Sequence, residues 1–260
     1  MAKKIIMEKI DTDFNKRRSL QLCKDSIAGA ETYHHTIPGE SLMDFPANCG
    51  FYRIFILIEG KVVFASGNKE YAYDERVTFI PAPDMDLVIK ALSNAQMLEV
   101  RWKVSRGDDE ELKKYGTVFP VTQLYKTSKQ YVDRNKSEKT ISRVMVEQRN
   151  IPGFCIGSVE SFGYDLVKPH DHPMLDQFFF SFPENDMDVI IDGEYIPMGG
   201  NVLMHIPLGA DHGVEVKEGK HMHYMWIDFM VDETAMTRLD TSHRPTGLMR
   251  SFDESGREKK

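Results

Sequence analysis

The stretch HDHPMLDQFFFSF, residues 170–182, sets two histidines two positions apart, with a glutamine five residues beyond the second. Residues i and i+2 of an extended chain point to the same side. His170 and His172 can therefore project together into an interior, while Gln177 lies across a turn at the start of the next strand. His212 arrives 35 residues after Gln177, following IPLGAD. Neutral imidazoles with an oxygen donor, and a position left for water, suit a catalytic divalent metal. A structural zinc site would be closed by four ligands and usually contains thiolates, which this stretch lacks. A metal with open positions can polarise a carbonyl, activate a water or bind dioxygen; these residues alone do not choose among the three.

The elements that must position them are short β-type runs. YRIFILIEG (52–60), KVVFAS (61–66), RVTFIPAP (76–83) and MLEVRWKV (97–104) are rich in Val, Ile and Phe and punctuated by Gly and Pro. A second set follows: FCIGSVESFG (154–163), QFFFSF (177–182), DVIIDGEYI (188–196), NVLMHIP (201–207) and HMHYMWIDFMV (221–231). Within it, Asp192-Gly193 is a hairpin-turn signal. Many short strands with turn chemistry between them predict an all-β protein, sandwich or barrel. The expected division is a first barrel over residues 1–104, a polar linker with one short helix over 105–150, a second barrel over 151–240, and a poorly ordered tail over 241–260.

The two sets read as copies. An offset of 124 places Asp176–Phe180 on Tyr52–Ile56 and Trp226 on Trp102, the chain's two tryptophans. An offset of 126 places IPLGADH on IPAPDMD. Three separated agreements favour duplication. At the positions of the histidines and glutamine, the first copy has Pro46, Asn48, Arg53 and Asp86. Arg53 would repel a cation, and Asp86 is its expected partner inside the barrel. The first copy is therefore expected to be structural or oligomer-forming.

The order His-x-His-x4-Gln, then Pro-x-Gly-x2-His (Pro207, Gly209, His212), resembles the two signature motifs of the cupin superfamily. The resemblance covers the second half well and the first half in strand layout only. It implies two tandem jelly-roll β-barrels, with His170, His172 and His212 as ligands to Fe, Mn, Zn, Ni or Co. Gln177 stands where the family usually has glutamate, which removes one negative charge from the ligand set. The layout is also similar to two-barrel cupins that isomerise keto-uronates, with a vacant first barrel and a metal in the second. That resemblance implies a metal-dependent isomerase of a sugar acid, chelating adjacent carbonyl and hydroxyl oxygens while a nearby base moves a proton. Other cupin chemistries stay open: a ureidoglycine-type hydrolase, a lyase, a dioxygenase, or a non-catalytic small-molecule binder. By fold analogy the protein is expected to be a homo-oligomer.

Further candidates surround this set. Tyr164, just before the motif, is a candidate proton donor to a bound substrate. His221 and His223 share one strand face; His223 is a candidate group beside the metal, with an ordinary core or edge histidine as its alternative. His205 is a lesser candidate for the pocket lining. His34 and His35 are expected at the surface, Asp228 facing solvent, and Asp176 and Glu194 as solvated loop charges. The formal charge of −7 argues against nucleic-acid or anionic-membrane partners and leaves a small-molecule substrate. No apolar run reaches the roughly 18–20 residues of a membrane span, and the charged N-terminus lacks the apolar core of a secretory signal. Cys23, Cys49 and Cys155 form no CxxC pair, as expected of a reducing cytoplasm.

Overall fold

The computed structural model describes residues 5–253 and 255–259. Strands dominate it, as the Val-, Ile- and Phe-rich runs require. The chain forms two compact units, each an antiparallel pair of sheets packed around one core. The first unit holds residues 10–127 and 149–152. Its six-stranded sheet runs in the order Val121–Leu124, Val77–Ile80, Phe51–Glu59, Ala95–Lys103, Ala30–Ile37, Arg18–Leu22. Its four-stranded sheet runs Leu42–Phe45, Leu87–Ala91, Val62–Ser66, Lys69–Tyr73. Alternation turns Phe55 and Leu57, Met97, Ile37 and Ile89 into a shared apolar core.

The second unit holds residues 5–9, 128–148, 153–253 and 255–259. Its eight-stranded sheet centres on Val202–Ile206, Leu175–Ser181, His221–Met230 and Phe154–Phe162, in that order. Facing it are Asp165–His170, His212–Val216, Asp186–Ile191 and Glu194–Gly199. Asp192 and Gly193 both have positive φ and join the last two strands, with Ile191 opposite Glu194. The hairpin expected from Asp-Gly is present. Leu175, Phe179, Val214, Met222, Tyr224 and Trp226 meet inside. Trp226 lies flat on Gly157, its cross-strand partner; a Cβ there would stand 2.0 Å from Cζ2 of the indole.

Three stretches fold differently from their sequence reading. Residues 105–150 are not a linker. They supply a helix, Asp108–Tyr115, an edge strand, Val121–Leu124, to the first unit, and the strands Lys129–Val132 and Ile141–Ile151 to the eight-stranded sheet. Their charges disguised this: Arg143 is buried because its Nη1 donates to Glu160 Oε2 at 2.8 Å. The tail folds back, with Gln130 bonded through both side-chain atoms to the backbone of Arg250. The N-terminal strand Ile6–Lys9 pairs with Val202–Ile206 and so belongs to the second unit.

Candidate metal centre

His170 ends the strand Asp165–His170 and sits opposite His212, the first residue of the strand His212–Val216. His172 enters from the loop that follows. The three rings converge, with centroids 4.6 Å (170–172), 5.3 Å (170–212) and 5.4 Å (172–212) apart. His170 Nδ1 lies 2.7 Å from the carbonyl of Lys168, and His212 Nδ1 lies 3.0 Å from that of Ala210. A carbonyl only accepts, so both Nδ1 atoms carry the proton and both Nε2 lone pairs are left for a cation. His172 Nδ1 is buried without a hydrogen-bond partner. Burial first, and the neighbouring imidazoles next, hold His172 down to about 2. Burial likewise lowers His212 to about 4 and displaces His170 downward. Three neutral, oriented imidazoles with an orphaned buried nitrogen among them are a donor set that fits a divalent metal.

Gln177 and Asp228 are direct partners across the strands Leu175–Ser181 and His221–Met230, both facing inward. Gln177 Nε2 donates to Asp228 Oδ1 at 2.6 Å, which leaves Gln177 Oε1 as the amide's donor atom for a metal. Asp228 was expected to face solvent. It is instead buried beside the histidines, and burial raises its carboxyl to about 7. The carboxyl group missing at position 177 thus stands one strand away.

The cavity wall brings in residues that the motif does not mark. Tyr131, Asp133 and Lys136 come from the misread linker, and Arg238 and His243 from the helix Thr234–Ser242 and just beyond. Lys136 Nζ donates to the Tyr131 hydroxyl at 2.8 Å, and burial lowers it to about 8. His243, in the stretch expected to be a poorly ordered tail, packs at 4.1 Å between centroids on Tyr131. Beside the histidines a cavity of about 540 Å³ is lined by Tyr131, Asp133, Lys136, His172 and Arg238, large enough for a small polar ligand. Their signal was only charge in a region of weak periodicity.

The other candidates lie elsewhere. Tyr164 sits on a turn, 55% exposed, and does not line this cavity. His223 is on the opposite face of its strand from Tyr224 and Trp226, bonded through Nδ1 to Glu184; alternation turns it away from the three histidines. His205 also faces away, paired with Asp176 at 2.9 Å, so Asp176 is not simply solvated. Glu194 is exposed, as expected, but it opens the strand Glu194–Gly199 opposite Ile191 rather than lying in a loop.

The first unit shows what replaces the site. Its closing cross-strand pair, equivalent to His170–His212, is Phe45–Leu87, both in the apolar core. Pro46 and Asp86 were each one residue out, and in a strand one residue changes the face. Asp86 caps the Ala47 N–H instead of pairing with Arg53. Arg53 donates from Nε to Glu99 at 2.6 Å, and its cross-strand partner is Arg101. His35 also binds this buried Glu99, at 2.8 Å, and His34 binds Gln96; neither is at the surface. Where the second unit sets an amide against a carboxylate, the first sets two guanidinium groups. The tryptophans are not equivalent either: Trp226 points inward, while Trp102 lies across from Tyr52 on the other face of its sheet and donates to the carbonyl of Pro152.

No protein-family model matches the chain, and no curated protein matches it. Solved structures do. A cupin 2 conserved barrel domain protein from Leptotrichia buccalis is 14% identical, with TM-score 0.56 over 85% of this chain and 92% of its own. A putative glyoxylate induced protein from Pseudomonas aeruginosa is 8% identical, with TM-score 0.69 over 85% and 83%. An oxalate decarboxylase variant from Bacillus subtilis is 10% identical, with TM-score 0.64 over 90% and 84%. At these identities the likeness is one of fold: the chain is an all-β protein of two cupin barrels.

Proposed function

We propose that the protein is a metal-dependent enzyme acting on a small polar carbonyl or hydroxy acid, in the manner of an isomerase of keto-uronate-like sugar acids. The observation that carries this reading is one cavity with two chemistries: three neutral imidazoles line it together with Lys136 and Arg238. A divalent metal held by His170, His172 and His212, with Gln177 as a fourth donor, would polarise a carbonyl or hydroxyl oxygen. Arg238 offers a planar fork for the substrate carboxylate. Lys136, lowered to about 8, has an amine fraction near neutral pH and can take a proton at Nζ, with the Tyr131 hydroxyl beside it. Trp226, Phe179, Leu175 and Leu239 line the inner end and exclude water.

A small-acid lyase is the second reading. It is favoured by the same carboxylate-binding wall and by the oxalate decarboxylase among the similar folds. The test has two stages. Elemental analysis of purified protein should find divalent metal that His170→Ala removes; less than a tenth of an equivalent in the wild type would overturn the metal-enzyme reading. Incubation with keto-uronates and with small keto-acids then separates isomerisation from carbon–carbon cleavage. Bound metal with turnover of neither would leave a small-molecule binder.

A further inference from the structure

We propose a second divalent-metal site, of the zinc type, formed by Glu160, Glu184, His221 and His223 on the opposite face of the His221–Met230 strand from the barrel cavity. His221 and His223 alternate with Met222 and Tyr224, which belong to the core, so the two imidazoles share the other face. Glu160 is the cross-strand partner of His223. Its carboxylate is divided: Oε2 accepts from Arg143 Nη1 at 2.8 Å, while Oε1 stands 3.5 Å from His221 Nε2 and 3.9 Å from His223 Nδ1. One ligand atom from each of Glu160, His221 and His223 can be chosen so that all lie within 4.8 Å of one another.

The second carboxylate completes the set. Glu184 Oε1 is 2.6 Å from His223 Nδ1. It comes from the turn after Ser181, where Asn185 Oδ1 accepts the His223 backbone N–H at 2.7 Å and fixes the approach. His221 Nε2 is buried with no hydrogen-bond partner, and its ring is stacked on Phe162 at 3.7 Å between centroids. Two imidazole nitrogens and two carboxylate oxygens make a four-donor set of the borderline hardness that zinc accepts. Arg143 offsets one of the two carboxylate charges, and the other would meet the metal. The Glu184 side chain is 34% exposed, which gives an ion a way in. Phe162 and Phe182 pack their rings against His221 and His223, an apolar surround suited to holding an ion in place. The role assigned is therefore structural: the ion ties the turn at 182–185 to two central strands of the large sheet.

The test uses the full chain, stripped with a chelator and dialysed against Zn²⁺, with bound zinc measured by elemental analysis. The wild type should take two equivalents. Glu184→Gln, at a partly exposed position, and His221→Asn should each take one. His170→Ala/His172→Ala/His212→Ala should also keep one, and should lose it when Glu184→Gln is added. With Co²⁺, the triple variant should still give the visible bands of tetrahedral nitrogen–oxygen coordination. If zinc stoichiometry does not change in either Glu184→Gln or His221→Asn, the four side chains form an ion-pair cluster only and the proposal fails. A wild type with one equivalent, lost in His221→Asn but kept in His170→Ala, would support this site and refute the barrel site instead. Should the triple variant not fold, the wild type and Glu184→Gln alone decide.

Discussion

Replacing Asp228 by Asn should make the metal-free protein more stable and its metal binding weaker. Burial raises the Asp228 carboxyl from 3.8 to about 7, which sets a ceiling of about 4 kcal/mol on its cost to the folded state. The sign follows from proton counts. Below pH 3.8 folded and unfolded chains both hold the proton, and the group costs nothing. Between 3.8 and 7 only the unfolded chain releases it, so stability falls as pH rises and the deficit is complete above 7. Asn keeps the oxygen that accepts from Gln177 at 2.6 Å, and loses the attraction to Lys136 that partly offsets burial. A net gain of about 1–2 kcal/mol at pH 8 results, or roughly 2–8 °C in Tm for a chain of this size. The same change removes the buried negative charge, which should weaken metal binding about 10–100-fold. Thermal melts of chelator-treated protein at pH 4 and 8, with competitive metal titration, read both effects. A gain equal at the two pH values, or unchanged metal affinity, would refute the reasoning.

Arg238→Ala should raise KM for an acidic substrate by at least tenfold with a smaller change in kcat, whereas Lys136→Met should lower kcat and remove the acidic limb of the pH profile, the rise of activity towards pH 8; equal effects on both parameters in both variants would contradict the division of roles. Gly157→Ala should cost about 3 kcal/mol or more, because its Cβ would also fall 2.4 Å from the Arg143 carbonyl, read as a lower urea midpoint; an unchanged midpoint would show that Trp226 can move. His34, lowered to about 4 by burial, stays neutral while the unfolded chain protonates, so stability should fall as pH drops from about 6.5 towards 4. Between pH 7 and 5 the loss is about 1–2 kcal/mol, and it should be smaller in His34→Asn.

The histidines were legible because i, i+2 spacing and a turn carry geometry within a few residues. What the sequence hid was long-range register. Asp228 stands in an apolar strand whose two faces are both buried, so alternation alone could not tell inside from outside. Trp102 and Trp226 matched in number and lie on different faces, because the last strands of the two barrels are offset by 127 rather than 124 when Arg101 is set on Asp228. Lys136 and Arg238 reach the cavity from segments with weak β periodicity, and nothing local marks them. Arg143 shows why: a charge satisfied by Glu160 reads as surface until its partner is known.

The pairing of Ile6–Lys9 with Val202–Ile206 has a consequence for synthesis and dissection. The ribosome makes this strand nearly two hundred residues before its seat, so it must wait unpaired while the first barrel is made. A second half expressed from residue 128 onward would leave Val202–Ile206 as an open sheet edge next to the strand that carries Gln177, an invitation to strand-to-strand aggregation. Supplying residues 5–9 through a short linker at the new terminus should return that half to solution.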